Sequence, residues 1–210
     1  MGKLTLYYFP LRARNEIPQL TLAGGGVDYE YVSILFDKWA EFKDKTFLKQ
    51  LPMLVLPDGT EICQSGAIVR YIAQIASPRL VPDDPVKAAY VDMIFEMCQD
   101  KRVQVIDPIC NMYSGEQFKT EKETVLGHLQ DNYLPCWTKL LGDKKFFAGD
   151  SVTYADFAVF HILENTQNVE PNVLSKWSEM SAWYERVKGL PGIKQFLDSR
   201  PPLRQLPPAN

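Results

Sequence analysis

Nowhere in this 210-residue chain do more than two lysines or arginines stand together, no two cysteines stand as C-x-x-C, and histidine occurs twice, at His128 and His161. Each shortage removes a class of function. With 23 basic and 26 acidic residues and a formal net charge of -3, the chain carries no electrostatic footprint for nucleic acid or an anionic membrane, which clustered cations would supply. No apolar run approaches the roughly 20 residues that a bilayer span needs. Cys63, Cys98, Cys110 and Cys136 are scattered, with no histidine at ligand spacing, so neither a disulfide framework nor a zinc site is expected. Thioredoxin-type redox chemistry lacks its cysteine pair. The N-terminal MGKLTLYYFP has no long apolar region and no small-residue cleavage site, so a cytoplasmic location is the expectation.

What is present is apolar material for one large or two small cores, since 46% of the residues are hydrophobic. The first eighty residues mix strand and helix patterns. LTLYYF reads as a strand, and residues 15 to 23 read as a helix closed by Gly24, Gly25 and Gly26. DYEYVSILF, residues 28 to 36, reads as a second strand, and residues 53 to 63 as a hairpin turning on Pro57-Asp58-Gly59. From Ser65 a helix places Ile68, Tyr71, Ile72 and Ile75 at helical spacing. The proline-rich SPRLVPDDP then breaks the pattern. Beyond it, helices are expected at about 86 to 113, 117 to 141, 154 to 168, 173 to 188 and 191 to 198. The terminal RPPLRQLPPAN is kept out of helix by proline. The expected organisation is a small mixed α/β domain over 1–77, a linker over 78–85 and an all-helical domain over 86–210.

Chemistry is suggested at three points of the first domain. In YYFPLRAR, residues 7 to 14, adjacent tyrosines on a strand face opposite ways, so one can pack while the other meets a ligand. A neutral tyrosine hydroxyl can donate to a thiolate, and Arg14 would favour the same anion; the alternative is a strand tyrosine that only packs. Leu51-Pro52 is either an ordinary trans proline at a strand entry or a cis peptide that turns a short backbone edge outward for an extended peptide. Gln64-Ser65 begins a helix with Ser65 as N-cap, which is either a plain cap or a carboxylate site at the positive end of the helix. Thr153-Tyr154-Ala155-Asp156 is a capping box, with Val152 and Phe157 placed as its staple, and is read as a folding signal.

Taken in order, Y-F-P-x-R-x-R at 8 to 14, Trp39, Lys45, Q-L-P at 50 to 52, D-G at 58, Q-S-x-x-I-x-R-Y at 64 to 71, V-D-M at 91 to 93, Asp100 and T-Y-A-D-F at 153 to 157 resemble the cytosolic glutathione transferases. The tyrosine-type Pi and Sigma classes look most similar. The resemblance implies a thioredoxin-like N-terminal α/β domain plus an all-α C-terminal domain, and a homodimer. It makes glutathione the co-substrate, with no metal, and a small hydrophobic electrophile the second partner. It assigns catalysis to Tyr8, places Arg14 near the thiolate, and puts Trp39, Lys45 and Gln50 at the glycine end. Leu51, before a cis Pro52, would pair with the cysteinyl unit, Gln64 and Ser65 would hold the γ-glutamyl end, and Asp100 would reach into the partner's site. Phe9, Leu11, Cys110 and Tyr113 would line the electrophile pocket.

The chain departs from the family pattern at Ala13, where glycine is usual between the arginines, and at Cys110, where Pi members carry a tyrosine. Phe47 and Leu48 compete for the position of an aromatic dimer key. The resemblance leaves three functions in play: conjugation of the glutathione thiolate to electrophiles, glutathione-dependent prostaglandin isomerisation, and a non-catalytic carrier or crystallin-like role. The intact Tyr8, Arg14, Gln64 and Ser65 favour the enzyme.

Overall fold

Alternation builds the first strand. Along β1 (Leu4–Tyr8), Leu4, Leu6 and Tyr8 are buried while Thr5 and Tyr7 are half-buried, the period of two that a strand laid on a core requires. A computed structural model describes residues 3–200, apart from the side chains at 102, 103 and 111. In it β1 lies between β2 (Tyr29–Ser33), which runs parallel to it, and β3 (Met53–Val55), which runs antiparallel. β4 (Glu61–Cys63) completes a four-stranded sheet of order β2-β1-β3-β4.

A parallel pair needs a crossover. A 3-10 turn at Ala13–Asn15 and helix α1 (Glu16–Gly24) supply it. β2 is shorter than the expected 28 to 36, because its ladder ends where β1 ends: the Ile34 N–H donates to the Tyr8 carbonyl at 2.7 Å, and Pro10 follows close behind. The chain turns instead through a second 3-10 turn at Phe36–Lys38, α2 (Trp39–Phe42) and a third 3-10 turn at Lys43–Lys45. The hairpin forms as expected around Gly59, whose φ of +89° suits the turn, and the Thr60 N–H donates to Asp58 Oδ1 at 2.9 Å. α3 (Ser65–Ile75) buries Ile68 and Ile72 but leaves Ile75 exposed.

Asp84 accepts from the Lys87 N–H at 2.8 Å and Pro85 sits at the first turn, which together start α4 (Pro85–Gln99). The helix expected over 86 to 113 is broken. Asp100 takes an extended conformation and its carbonyl accepts the first bond of α5 (Lys101–Gln104), after which α6 (Ile106–Asn111) follows. The next stretch divides into α7 (Gly115–His128), a π-helical turn at Leu129–Tyr133 and α8 (Leu134–Leu141). Pro135 explains the π turn, since it has no N–H to give the carbonyl four residues back. α9 (Tyr154–Val169), α10 (Ser178–Lys188) and α11 (Pro191–Ser199) complete the described chain. α10 starts later than the expected 173, because Val173 and Leu174 are buried in a run of tight turns instead. The proline-rich tail beyond Arg200 lies outside the described residues.

The largest core surrounds α9, which is buried on nearly every face and packs against α4, α1, α6 and α10. Trp137, Trp183, Phe157 and Phe160 fill it; Leu4, Leu6, Leu22, Leu54, Ile68 and Ile72 form a second core under the sheet. α9 opens on the expected capping box, Thr153 with Asp156, and Val152 and Phe157 both pack into the helical core. Arg70 ties α3 to α4 through Asp92 at 2.7 Å and Glu96, and Asp92 also accepts the Tyr154 hydroxyl at 2.9 Å. Among the described residues no helix is long and apolar enough to cross a membrane.

Candidate functional site

The two adjacent tyrosines divide as strand geometry demands. Tyr7 stacks on Phe42 with ring centroids 5.5 Å apart, while Tyr8, 6% exposed, turns to the other face at the end of β1. Burial pushes the Tyr8 hydroxyl above its ordinary value, the charge of Asp107 pushes it further, and the guanidinium and backbone N–H of Arg14 draw part of that rise back. Tyr8 is therefore protonated at neutral pH and equipped to donate.

The turn after β1 is bent tightly enough that Ala13 adopts a φ of +38°. That bend sends Arg14 outward, where it is exposed. Across the surface the peptide Leu51-Pro52 is cis, as is Ser77-Pro78. Gln64 has a φ of +71° and occupies the cap position of α3, without a side-chain cap bond. This corrects the expected capping: Ser65 is the first helical residue, and Gln64 precedes it as the cap. The first N–H groups of α3 are thus not satisfied by a capping side chain. Gln64 Nε2 donates to Gln50 Oε1 at 3.3 Å, so those two side chains meet. Trp39 stands edge-on to Phe9 at 5.3 Å, Phe9 stacks on Phe36 at 5.0 Å, and Lys45 is exposed at the end of its 3-10 turn.

Arg14 and Ser65 line one narrow cleft whose helical wall includes Gln99, Gln104, Asp107 and His161. Those four residues escaped the sequence reading. A polar ring within the apolar run FAVFHIL was the available signal for His161. Asp100, half-buried, stands at the break between α4 and α5. Leu11 and Tyr113 are half-buried. Cys110 is buried, its Sγ donates to the Asn165 carbonyl at 3.3 Å, and burial with the charges of Asp107 and Glu164 pushes its thiol up to about 12. Such a thiol is not a nucleophile at neutral pH. Among the described residues no group of three or more histidine, cysteine, aspartate or glutamate side chains is placed to hold a metal.

Two family profiles match the chain: the glutathione S-transferase N-terminal domain over residues 2–74 and the glutathione S-transferase C-terminal domain over residues 103–200. Glutathione S-transferase 1 of Ascaris suum is 30% identical over 207 residues, covering 96% of this chain and 98% of the relative. Hematopoietic prostaglandin D synthase of Gallus gallus is 31% identical over 206 residues, with 96% and 98% covered. The crystal structure of the glutathione S-transferase from Ascaris lumbricoides superposes with a TM-score of 0.83 at 28% identity, covering 96% of this chain and 98% of that one.

Proposed function

The chain belongs to the glutathione S-transferase family, and on that premise we propose that Tyr8 donates its hydroxyl to the thiolate of bound glutathione and holds the sulfur ionised for attack on small hydrophobic electrophiles. One observation carries the reading. Tyr8 is buried at the end of β1 with its hydroxyl held in the protonated, donating state, beside Arg14 on the turn that follows. A donor stabilises the thiolate, and a thiolate is the attacking form.

The other roles follow from placement. Arg14 adds positive charge near the sulfur. The N-terminus of α3, with Gln64 and Ser65, offers N–H groups and a favourable dipole to the γ-glutamyl carboxylate, and Gln50 touches Gln64 beside it. Trp39 and Lys45 join Gln50 at the glycine end, and Leu51 pairs its backbone with the cysteinyl unit ahead of the cis Pro52. Phe9, Leu11, Cys110 and Tyr113 form the electrophile side. Asp100 completes the partner's site in a homodimer. We place the chain in the tyrosine-type, Pi/Sigma-like group, with the glutathione domain over 1–77, linker 78–85 and helical domain from 86. It works in the cytoplasm with glutathione alone and no metal.

The Gallus gallus relative supports a second reading, in which glutathione serves as cofactor for prostaglandin isomerisation. Both readings share the thiolate. The test is a pH titration of bound glutathione by thiolate ultraviolet absorbance, in the wild type and in Tyr8→Phe. The wild type should ionise the thiol well below its free value of about 8.5. Tyr8→Phe should return it toward that value and lower kcat about 10²-fold with glutathione affinity retained. An unshifted thiol in the wild type, or unchanged turnover in the variant, removes Tyr8 from the role.

A further inference from the structure

Four charged side chains that glutathione binding leaves unused come together from distant parts of the chain. Arg200, at the end of α11, forks its guanidinium between Glu16 at the start of α1 and Glu164 on α9. Glu164 Oε1, the oxygen that Arg200 binds, also lies 3.9 Å from a terminal nitrogen of Arg12. The side chains of Glu16 and Arg200 are 2% and 9% exposed and those of Glu164 and Arg12 14% each, so little water stands between the charges to screen them. Two arginines balance two glutamates, the condition under which ions are tolerated away from water.

Arg12 is where this cluster reaches the site. Its carbonyl accepts the Asn15 N–H at 3.2 Å and so opens the 3-10 turn Ala13–Asn15 on which Arg14 stands. Just before it, the Leu11 N–H donates to the Phe9 carbonyl at 2.7 Å. Ala13 holds a φ of +38°, and a residue other than glycine keeps such a conformation only where its surroundings over-determine it. No capping side chain holds the turn, so tertiary contacts must, and the pair of Arg12 with Glu164 is one of them. Arg200 approaches from a firm base. At the other end of α11, a Cβ added to Gly192 would stand 2.2 Å from the Ala23 carbonyl, so that helix lies directly on α1.

We propose that Glu164, held in place by Arg200, is a positioning residue for the transferase reaction: it fixes Arg12, and through the turn that Arg12 opens it fixes where Arg14 stands toward bound glutathione. The inference rests on the reading of Tyr8 and Arg14 as the groups that meet the thiolate. Glu164 touches no ligand itself. Its carboxylate acts through Arg12, and Arg200, anchored on Glu16, keeps that carboxylate from turning elsewhere. Glu164→Gln removes the charge that faces Arg12 while leaving Arg200 paired with Glu16. Arg200→Gln keeps the charge but releases the carboxylate that carries it.

Both variants are compared with the wild type in two ways. The first uses no glutathione: amide hydrogen exchange by NMR should show Leu11 and Asn15 exchanging roughly tenfold faster in each variant, while amides in the middle of α9 keep their protection. The second is the ultraviolet titration of the bound thiol, which should ionise closer to its free value in each variant, with kcat lowered about tenfold because Arg14 is displaced rather than lost. A role confined to seating α11 on α1 would speed exchange in α11 of Arg200→Gln and leave the turn of Glu164→Gln as in the wild type. That result overturns the proposal, as does a loosened turn with the thiol as acidic as in the wild type. If Arg200→Gln does not fold, Glu164→Gln decides alone. Loosened turns in the variants with no depressed thiol in the wild type would uphold the ionic hold on Arg12 and overturn the transferase reading. A depressed wild-type thiol with undisturbed turns in the variants would do the reverse.

Discussion

Ala13 holds a φ of +38°, where an L residue crowds its own carbonyl at a cost of roughly 1–2 kcal/mol. The strain sits between Arg12 and Arg14, on the turn that fixes the distance from Tyr8 to Arg14. Glycine would remove the crowding but adds freedom to the unfolded chain, worth about 0.5–1 kcal/mol in the opposite direction. Ala13→Gly is therefore expected to stabilise the protein by about 0.5–1 kcal/mol, seen as a higher urea midpoint at unchanged slope. A lower midpoint would mean that the alanine is relaxed at this turn. The departure at Ala13 was legible in the sequence through the family resemblance. The positive φ of Gln64 was not, because glutamine has no preference that announces it.

Elements coded by neighbours in sequence were legible, and those set by distant partners were not. β1, the hairpin and α3 follow from alternation, a Pro-Asp-Gly turn and a 3.6 period. The break at Asp100 and the late start of α10 answer to packing against other helices, which no local pattern records. Asp156 belongs to both kinds. Its capping box reads from T-Y-A-D, but its Oδ1 also accepts from the Phe147 N–H at 3.1 Å and from Trp183 Nε1 at 3.0 Å, residues that only the fold brings near. With Oδ2 accepting from the Thr153 N–H and hydroxyl, each at 2.8 Å, one buried carboxylate joins the start of α9 to α10 and to the turn before it. Asp156→Asn would set an amide donor against two of these donors. It is expected to cost about 3 kcal/mol by urea unfolding, and a loss under about 1 kcal/mol would show the carboxylate to be dispensable.

At the scale of the whole molecule, the surface of α4 is the feature a single chain leaves unexplained. Val86, Tyr90 and Met93 recur at helical spacing on one face and are exposed, Tyr90 at 56%, with Ile75 exposed at the end of α3. Phe47, 81% exposed, and Leu48 project from the loop ahead of β3. An apolar stripe of this kind is normally covered. The proposed homodimer covers it with a second copy and brings each Asp100 toward the other site. Sedimentation of the wild type should give a dimer, and Met93→Glu, which sets a carboxylate in that stripe, should give a folded monomer. If Asp100 serves the partner's site, the Met93→Glu monomer should lose glutathione affinity to about the same extent as dimeric Asp100→Ala. A monomeric wild type that binds glutathione would end the cross-subunit role and leave the stripe for another partner. A Met93→Glu monomer with full affinity would keep the dimer and place every glutathione contact within one chain.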